Sequence, residues 1–525
     1  MQISDGIYRN SSKIENCHRM KKLLLAVIVF WGAFGIAQTN NTAIVDLLEA
    51  GVPHTSINSA DGNRYLYYSP RYGNTDKCIR MPKDGSECQT KRMNHPSDYV
   101  LMACYESTNS LYCVYNFFNY KEKSYGIYLN SVPKDGDDFS WNPELVGSVP
   151  LERAYDIRTF SSTSPDNSKA AVLLCLTQNS LKSASLKGSL IMAFDENGLL
   201  WQSPMDLEFT NNTLQIFNFA IQNDANVYTT ILTFTKKDDK DKSRANETLH
   251  LYQYGQYGET NHVEEQPEFG FLQNASLLFT KDGNIVVSGY YSSDPEKKES
   301  GCYVFKFDAK KFSTTNISHQ DFPDAYYAYN HVGAKVEGKD FHAYPMGFYE
   351  FSDGTLALLG DMQSVQRATI EFTIGGNVLV HFMDPNGDIT NFKMIKKTQT
   401  STFTSGSPKG LRDRMFSYFS IMHNDVIHII FADNIDNYKG KSGLNCFVDA
   451  GFTTAVRYNG VCAAHCTINR NQEISIPELL MDYTAHKSYI LCPLFTEDDG
   501  FILCRTGKKS NLISKLACPM TKTKE

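Results

Sequence analysis

Polar turns followed by short apolar runs recur along most of the chain. The turns and the runs that follow them lie at residues 164–169 and 170–174, 223–226 and 227–228, 281–284 and 285–289, 352–355 and 356–360, and 424–425 and 426–430. These turns are rich in Asp, Asn and Gly, which tolerate the positive φ of tight hairpin turns. Each pair therefore predicts a β-hairpin whose second strand is largely buried.

The turns are regularly spaced. Together with weaker turns near Asn109 and Lys487, they place one turn residue at positions 109, 167, 224, 282, 353, 424 and 487, so that the units are 57 to 71 residues long. In three units a second apolar run follows and ends at Asp195, Asp308 or Asp384, 26 to 31 residues after the turn. Each unit thus predicts a hairpin followed by a third and a fourth strand. Four-stranded units that stack on their neighbours around a ring form a β-propeller.

The blade count depends on the ends of the chain. Seven units can be counted, and a further turn at Asp61-Gly62-Asn63 makes eight blades the alternative. We expect an all-β propeller of seven four-stranded blades, closed by an N-terminal strand for which residues 65–68 are the candidate, whereas residues 42–51 look helical. A row of β-sandwich domains would lack the common period. Helical repeats would need apolar residues three and four positions apart.

The segment before the repeats has the pattern of a secretory signal peptide. Lys21 and Lys22 precede an uncharged run, residues 23–37, and small residues at its end favour cleavage between Ala37 and Gln38. A membrane anchor is the alternative, but this run of 15 residues is short for a span of about 20. We therefore expect no transmembrane anchor in the mature chain.

This pattern also divides the chain. Residues 1–19 carry charges that do not belong in a signal peptide, so we expect translation to begin at Met20. The predicted organisation is a signal peptide over residues 1–37 and a propeller domain over residues 38–525. The resulting localisation is secreted, periplasmic or at the cell envelope.

Composition and charge narrow the possible partners. Hydrophobic residues make up 42% of the chain, and Tyr 30 and Phe 32 stand against Trp 3, which favours strands. The full chain has 51 Lys and Arg against 58 Asp and Glu. Removing residues 1–37 removes five bases and two acids and leaves 46 against 56, a net charge of −10. Without a basic stripe, binding to nucleic acid lacks its main source of affinity.

The cysteines fit an oxidising compartment. Twelve of the 13 cysteines follow the predicted signal peptide. Cys104 and Cys113 lie symmetrically about one turn, and Cys492 and Cys504 about another. Paired hairpin strands would bring each pair within bonding range, and buried free thiols are the alternative. Two weaker pairs are Cys78 with Cys88 and Cys462 with Cys466.

No pattern of catalytic, cofactor-binding or metal-binding residues stands out. The segment Cys462-Ala-Ala-His465-Cys466 is neither a zinc nor a haem motif. His423 and His428 lie five positions apart on a predicted strand and point to opposite faces, with His428 in or beside the core. Nucleophile elbows and glycine-rich phosphate loops are missing from the sequence. Paired carboxylates could still meet in space from distant strands. We predict no catalytic residues, no cofactor and no metal site.

Three segments resemble a known group of proteins. Residues 164–169, the run Phe194-Asp-Glu-Asn-Gly-Leu-Leu-Trp201, and residues 281–291 with 301–308 are similar to uncharacterised secreted β-propeller-like proteins of Bacteroidetes bacteria. The similarity covers roughly residues 150–440. It implies an exported propeller and brings no catalytic residues. The chain departs from that group in its higher cysteine content.

Two functional hypotheses remain open. The first is a non-catalytic binding or scaffolding module, a monomer whose unknown ligand is a protein or a glycan, because propellers offer a broad loop-lined face. The second is a secreted enzyme that acts on glycans or peptides at the central channel. Fold alone does not choose between them.

Overall fold

Regular structure in the described part of the chain is almost entirely β-strand. The computed structural model describes residues 42–47, 55–59, 61–68, 75–83, 88–135, 140–150, 156–179, 183–186, 188–210, 213–235, 244–294, 298–328, 341–367, 371–397, 399–403, 418–438, 448–449, 461–483, 488–497, 500–507 and 511–517. Within these ranges the helical elements are α1 (Asp324–Tyr327) and a 3-10 turn (Ile435–Tyr438).

The strands of the described residues form eight sheets, which we call blades 1 to 8. The N-terminal strand β1 (Thr42–Leu47) belongs to blade 8. Blade 1 holds β2 (Thr55–Asn58), β3 (Arg64–Tyr68), β4 (Thr75–Met81) and β5 (Gln89–Asn94), and blade 2 holds β6 (Val100–Glu106), β7 (Ser110–Asn119), β8 (Ser124–Pro133) and β9 (Glu144–Pro150). Blade 3 holds β10 (Asp156–Thr163), β11 (Ala170–Asn179), β12 (Ser183–Ser185), β13 (Ser189–Asp195), β14 (Gly198–Met205) and β15 (Glu208–Thr210).

The remaining blades follow the same order. Blade 4 holds β16 (Thr213–Ile221), β17 (Val227–Thr235), β18 (Ala245–Gly255) and β19 (Gly258–Glu265), and blade 5 holds β20 (Phe271–Leu272), β21 (Ser276–Phe279), β22 (Asn284–Ser292), β23 (Gly301–Asp308) and β24 (Ser313–Asp321). Blade 6 holds β25 (His342–Glu350), β26 (Leu356–Arg367), β27 (Glu371–Met383), β28 (Ile389–Ile395) and β29 (Gln399–Phe403). Blade 7 holds β30 (Tyr418–His423) and β31 (Val426–Asn434), then β32 (Val448–Asp449) pairs with β29, and β33 (Val461–Asn469) and β34 (Glu478–Asp482) complete blade 7. Blade 8 holds β35 (Ser488–Glu497), β36 (Gly500–Gly507) and β37 (Asn511–Ala517).

The blades close into a ring. Seven of the sheets follow one another along the chain, and the eighth combines β1 with β35, β36 and β37. Strand β35 contacts β30 of blade 7 on one side and β2 of blade 1 on the other. The predicted all-β propeller, its four-stranded blades and its closure by an N-terminal strand are confirmed. The sequence predicted seven blades, with eight as the alternative, and the described strands form eight sheets. The turn at Asp61-Gly62-Asn63, from which the eighth unit was counted, joins β2 to β3 in blade 1.

Two details of the closure differ from the prediction. Residues 42–47 form the strand β1 and not a helix, because pairing with β37 gives their backbone groups partners. Residues 65–68 lie in β3, the second strand of blade 1, and do not close the ring. Over the short segment 42–47, pairing with a distant strand overrides the local helix propensity.

Apolar cores lie between neighbouring blades. Trp201 of blade 3 packs with Tyr252 and Tyr254 of blade 4 in one such core, and Phe305 of blade 5 packs with Leu251 of blade 4 in the next. Burying an aromatic or aliphatic side chain of this size contributes roughly 1.5–3 kcal/mol. Each blade is therefore stabilised mainly by the blades beside it.

The Asp-containing turns have the chemistry that the sequence predicted. Asp61, Asp166, Asp224, Asp353 and Asp384 each accept a hydrogen bond from the backbone N–H two residues later, at 2.8 to 3.0 Å. These Asx turns account for the recurring aspartates without a bound cation.

Helices long and apolar enough to cross a membrane are not found among the described residues. The predicted signal peptide and its cleavage site at Ala37 and Gln38 lie outside those residues.

Candidate binding cleft between blades 3 and 4

A cleft of about 480 Å³ opens on the rim of the ring, between the outer strands of blades 3 and 4. It lies away from the central channel, where the sequence placed a possible active site. Its lining residues are Gln202, Ser203, Pro204, Asp206, Leu207, Tyr254, Gln256, Tyr257, Gly258 and Glu259. Two tyrosines, two amides and two carboxylates therefore face the same cleft.

The β18–β19 hairpin builds one wall of the cleft. Gly255 pairs with Gly258, so that Gln256 and Tyr257 form the tip of the hairpin. Gly258 has a φ of +99°, a backbone conformation that residues with a Cβ rarely adopt, and the register of the hairpin shifts farther from the tip, between Gln253 and Tyr254. At the tip of the hairpin, Tyr257 is 92% exposed at the mouth of the cleft.

The end of β14 and the residues after it build the opposite wall. Side chains of β14 alternate, with Trp201, Ser203 and Met205 buried and Gln202 exposed. Beyond the strand, Asp206 accepts a hydrogen bond from the N–H of Gly188 at 2.7 Å. This bond fixes one carboxylate oxygen of Asp206.

The cleft has an acidic character. Burial raises the pKa of Tyr254, and the nearby charges of Glu259 and Asp206 add to that increase. Both carboxylates therefore act electrostatically on the Tyr254 hydroxyl. Lysine and arginine are absent from the lining residues.

A histidine pair and a carboxylate lie farther along the same hairpin. His250 is placed opposite Glu264, and Tyr252 opposite His262, in the β18–β19 register. The Nδ1 of His250 lies 3.2 Å from the Nε2 of His262 and 3.5 Å from a carboxylate oxygen of Glu264. His250 is 5% exposed, whereas His262 and Glu264 are exposed.

Sequence reasoning missed this cluster. Its signal is the symmetry of His250 with Glu264, and of Tyr252 with His262, about the turn at Tyr257. That signal becomes visible only when residues 250–264 are treated as a hairpin. Burial lowers the pKa of His250 to about 4, and the neighbouring His262 contributes to the decrease.

A second group with similar residue types is closed to solvent. Between blades 1 and 2, Asp76 accepts hydrogen bonds from His95 Nε2 at 3.0 Å and from the hydroxyls of Tyr67 and Tyr115 at 3.1 and 2.6 Å. His95 also donates from Nδ1 to the carbonyl of Pro96 at 2.8 Å. Acceptors at both ring nitrogens favour the charged imidazolium. Burial lowers the pKa of His95, but the hydrogen bond and charge of Asp76 outweigh that effect and raise it. We assign this network a structural role because its members are buried.

The expectation that His428 lies in or beside the core is confirmed. His428 is 6% exposed, in the core as expected, and its Nδ1 lies 3.1 Å from the Nε2 of His465. Burial lowers the pKa of both His428 and His465 to about 4. The proposed pairing of Cys462 with Cys466 is wrong, because four positions along β33 separate their backbones by about 13 Å.

The stronger cysteine pairs are adjacent in register. Cys104 lies directly opposite Cys113, with the sulfur atoms 3.7 Å apart, and both are buried free thiols in the structure. Cys492 lies opposite Cys504 in the backbone register of β35 and β36. Cys78, of the weaker pair Cys78 with Cys88, is a free thiol in the structure. Disulfide formation at the first two pairs remains a prediction.

No family model matches the chain, and no curated protein is similar to it. A structure from a study of two prolyl endopeptidases is similar over 94% of this chain and 60% of that chain, with 9% identity and a TM-score of 0.37. The polysaccharide lyase Uly1 is similar over 77% of this chain and 90% of that chain, with 9% identity and a TM-score of 0.37. An α-L-arabinanase of Penicillium chrysogenum complexed with arabinobiose is similar over 66% and 98%, with 11% identity and a TM-score of 0.32.

The chain thus spans 60% of the length of the endopeptidase chain that it matches. At these identities and TM-scores the similarities carry no information about the activity of this chain. Its fold rests on the strand topology described above.

Proposed function

We propose that this propeller binds a neutral saccharide in the cleft between blades 3 and 4. The observation that carries the proposal is an exposed aromatic ring, Tyr257, at the mouth of a cleft lined by amide and carboxylate side chains. A sugar presents C–H faces that pack on an aromatic ring and hydroxyls that both donate and accept hydrogen bonds. A concave site with a few placed polar groups is typical of small-molecule binding.

Charge narrows the class of saccharide. Asp206 and Glu259 give the cleft negative charge, and its lining residues include no cation that could pair with a uronate or a sulfate. Like charges in contact oppose binding by electrostatic repulsion. A neutral glycan therefore fits better than an acidic one.

Binding is tested with immobilised glycans and by calorimetry on neutral and acidic oligosaccharides. Tyr257→Ala should weaken binding of a neutral oligosaccharide about tenfold, which corresponds to about 1.4 kcal/mol. Tyr120→Ala is the matched control, because Tyr120 is 78% exposed on the loop between β7 and β8 of another blade. Equal losses in both variants, or preferential binding of acidic glycans, would contradict the proposal.

Hydrolysis of the bound saccharide is a second candidate function. It is favoured by the two carboxylates, Asp206 and Glu259, that share the cleft and both act on Tyr254. Glycoside hydrolysis generally uses such a pair, one as acid and one as base or nucleophile. The placement differs from the central channel that the sequence analysis favoured.

The two functions are separated by Asp206→Asn and Glu259→Gln. If the protein is a hydrolase, either change should abolish release of reducing ends while binding persists. Glu208→Gln is the control, because this exposed carboxylate on β15 lies outside the cleft lining. Absence of cleavage by the unaltered protein, with binding retained, would leave the binding module as the function.

We also propose that the chain is exported. Its support is the sequence pattern around residues 20–38. N-terminal sequencing of the mature protein should begin at Gln38, and a product that retains Lys21 and Lys22 would overturn this cleavage site.

A further inference from the structure

We propose that His250, His262 and Glu264 form a binding site for a divalent transition metal, of which zinc is the best match. The inference concerns a different group of side chains from the saccharide cleft and does not depend on it. Its observation is that three ligand atoms, one from each side chain, lie within 4.8 Å of one another.

The separations suit a single ion. Zinc binds imidazole nitrogen at about 2.0–2.1 Å and carboxylate oxygen at about 2.0–2.2 Å, usually in tetrahedral geometry. Two nitrogens at such distances from one tetrahedral ion are about 3.3–3.4 Å apart. The Nδ1 of His250 and the Nε2 of His262 are 3.2 Å apart, and the Nδ1 of His250 is 3.5 Å from a Glu264 oxygen. Small side-chain adjustments would therefore complete the coordination.

The orientation of His250 also suits a metal ligand. Its Nε2 lies 3.0 Å from the buried hydroxyl of Thr233, on the side away from the cluster. A proton on Nε2 would be donated to that hydroxyl and would leave the Nδ1 lone pair directed at His262 and Glu264. Ligating histidines commonly hold their tautomer through such a bond from the second ring nitrogen.

Both rings are held in place by aromatic neighbours. The ring of His262 stacks on Tyr252 with centroids 4.2 Å apart and an interplanar angle of 4°. Phe209 of blade 3 packs against His250 with centroids 5.2 Å apart. Little side-chain freedom would then be lost when an ion binds.

The site is open on one side. Glu264 has 61% of its side chain exposed, and His262 is exposed, so an ion could enter from solvent. Three protein ligands leave a fourth tetrahedral position for water or for another ligand. Two imidazoles and one carboxylate suit zinc better than the hard cations calcium and magnesium, which prefer oxygen ligands.

An ordinary hydrogen bond from His262 to His250 would give the same nitrogen separation, so the test must distinguish a metal from a proton. The mature protein is treated with a chelator, and zinc sulfate is then titrated with detection by calorimetry and by elemental analysis after gel filtration. The unaltered protein should bind one zinc per chain. His262→Ala should weaken binding about 100-fold or abolish it, and Glu264→Gln should weaken it at least about tenfold, since ligands contribute at least as much as their outer partners.

His319→Ala is the matched control. His319 is an exposed histidine on the outer strand β24 that stacks on Phe269 at 4.7 Å, as His262 stacks on Tyr252. Zinc binding should be unchanged in this variant. Circular dichroism and melting temperature show whether each variant is folded.

A second readout uses cobalt in place of zinc. Tetrahedral cobalt should give visible d–d absorption in the unaltered protein and in His319→Ala, and none in His262→Ala. Failure of the unaltered protein to bind stoichiometric zinc would overturn the proposal. Binding that persists in His262→Ala would also overturn it, because the ion would then lie elsewhere, for example at His428 and His465.

Discussion

Two regions of the ring combine histidine, tyrosine and a carboxylate, and they differ in access to solvent. Between blades 1 and 2, the side chains of His95 and Asp76 are 1% and 0% exposed, and two tyrosine hydroxyls also bind the Asp76 carboxylate. Between blades 3 and 4, the Glu264 side chain near His250 is 61% exposed. In the first region the polar atoms of His95 and Asp76 are hydrogen-bonded to other protein groups. In the second region the side chains of His262 and Glu264 are exposed to solvent.

Residue type alone therefore does not determine the role of a cluster in this fold. A buried charge is stable only when its partners are in place, so the Asp76 network acts as part of the core. The cluster of His250, His262 and Glu264 is open to solvent on one side and can therefore still bind an ion or ligand.

The largest expected effect is loss of stability on Asp76→Asn. The change leaves the His95 imidazolium without its counter-ion in the interior, which should cost about 3–5 kcal/mol in the free energy of unfolding. Denaturant unfolding followed by tryptophan fluorescence measures it. Glu264→Gln, at the exposed cluster, should change stability by no more than about 0.5 kcal/mol. Similar losses in the two variants would mean that both clusters are structural.

The next effect is on the titration of His95 and His250. Burial alone would lower the pKa of His95, but the hydrogen bond and charge of Asp76 outweigh it and the pKa is raised. The stabilisation by charged His95 is fully present below the unfolded-state pKa of about 6.5 and is lost as pH rises through the folded-state pKa. His250 behaves in the opposite way, since its pKa is lowered to about 4.

For His250 the unfolded chain takes up a proton near pH 6.5 and the folded chain only near pH 4. Stability should therefore fall by about 3 kcal/mol as pH decreases across this window. Imidazole NMR resonances, assigned with His95→Gln and His250→Gln, measure both titrations directly. A His250 resonance that titrates near 6.5, like that of an exposed histidine, would show that its environment is not closed by Thr233 and Phe209.

The smallest expected effect is at Cys104 and Cys113, which lie in the same core as Tyr67 and Tyr115. Closing this disulfide should stabilise the fold by about 2 kcal/mol, because the loop that it closes is short. The sulfurs must approach from 3.7 Å to about 2.05 Å. Burial raises the pKa of the Cys104 thiol, so oxidation should occur during folding in an oxidising compartment and not in the folded protein.

Thiol counting under denaturing conditions tests this pairing. Because Cys492 and Cys504 could form a second disulfide, the thiols are counted in the Cys492→Ser/Cys504→Ser variant. This variant should have two fewer thiols when it is folded with oxidised glutathione than when it is folded with a reductant. In that variant, a further Cys113→Ser substitution should remove the difference. An equal thiol count in both preparations of Cys492→Ser/Cys504→Ser would show that the Cys104 and Cys113 sulfurs remain free.

The repeat and its turns follow from local patterns in the sequence. Asp166, Asp282 and Asp353 mark hairpins because an Asx turn is local: the carboxylate binds an N–H only two residues away. Alternating apolar strands between such turns need neighbouring sheets to bury both faces, which leads to a propeller. The sequence predicted that an N-terminal strand closes the ring. It could not identify β1 as that strand, because β1 pairs with β37 at the other end of the chain.

The positions of the two candidate sites depend on tertiary contacts. His250 lies opposite Glu264 through the register of one hairpin, and Asp206 and Glu259 line the same cleft through the packing of two blades. Neither relation follows a fixed sequence spacing that can be read without knowing the register and the packing. The tertiary structure also separates the buried Asp76 network from the open His250 cluster, because burial depends on which blade lies alongside, whereas the local pattern of polar and apolar residues sets only the strands themselves.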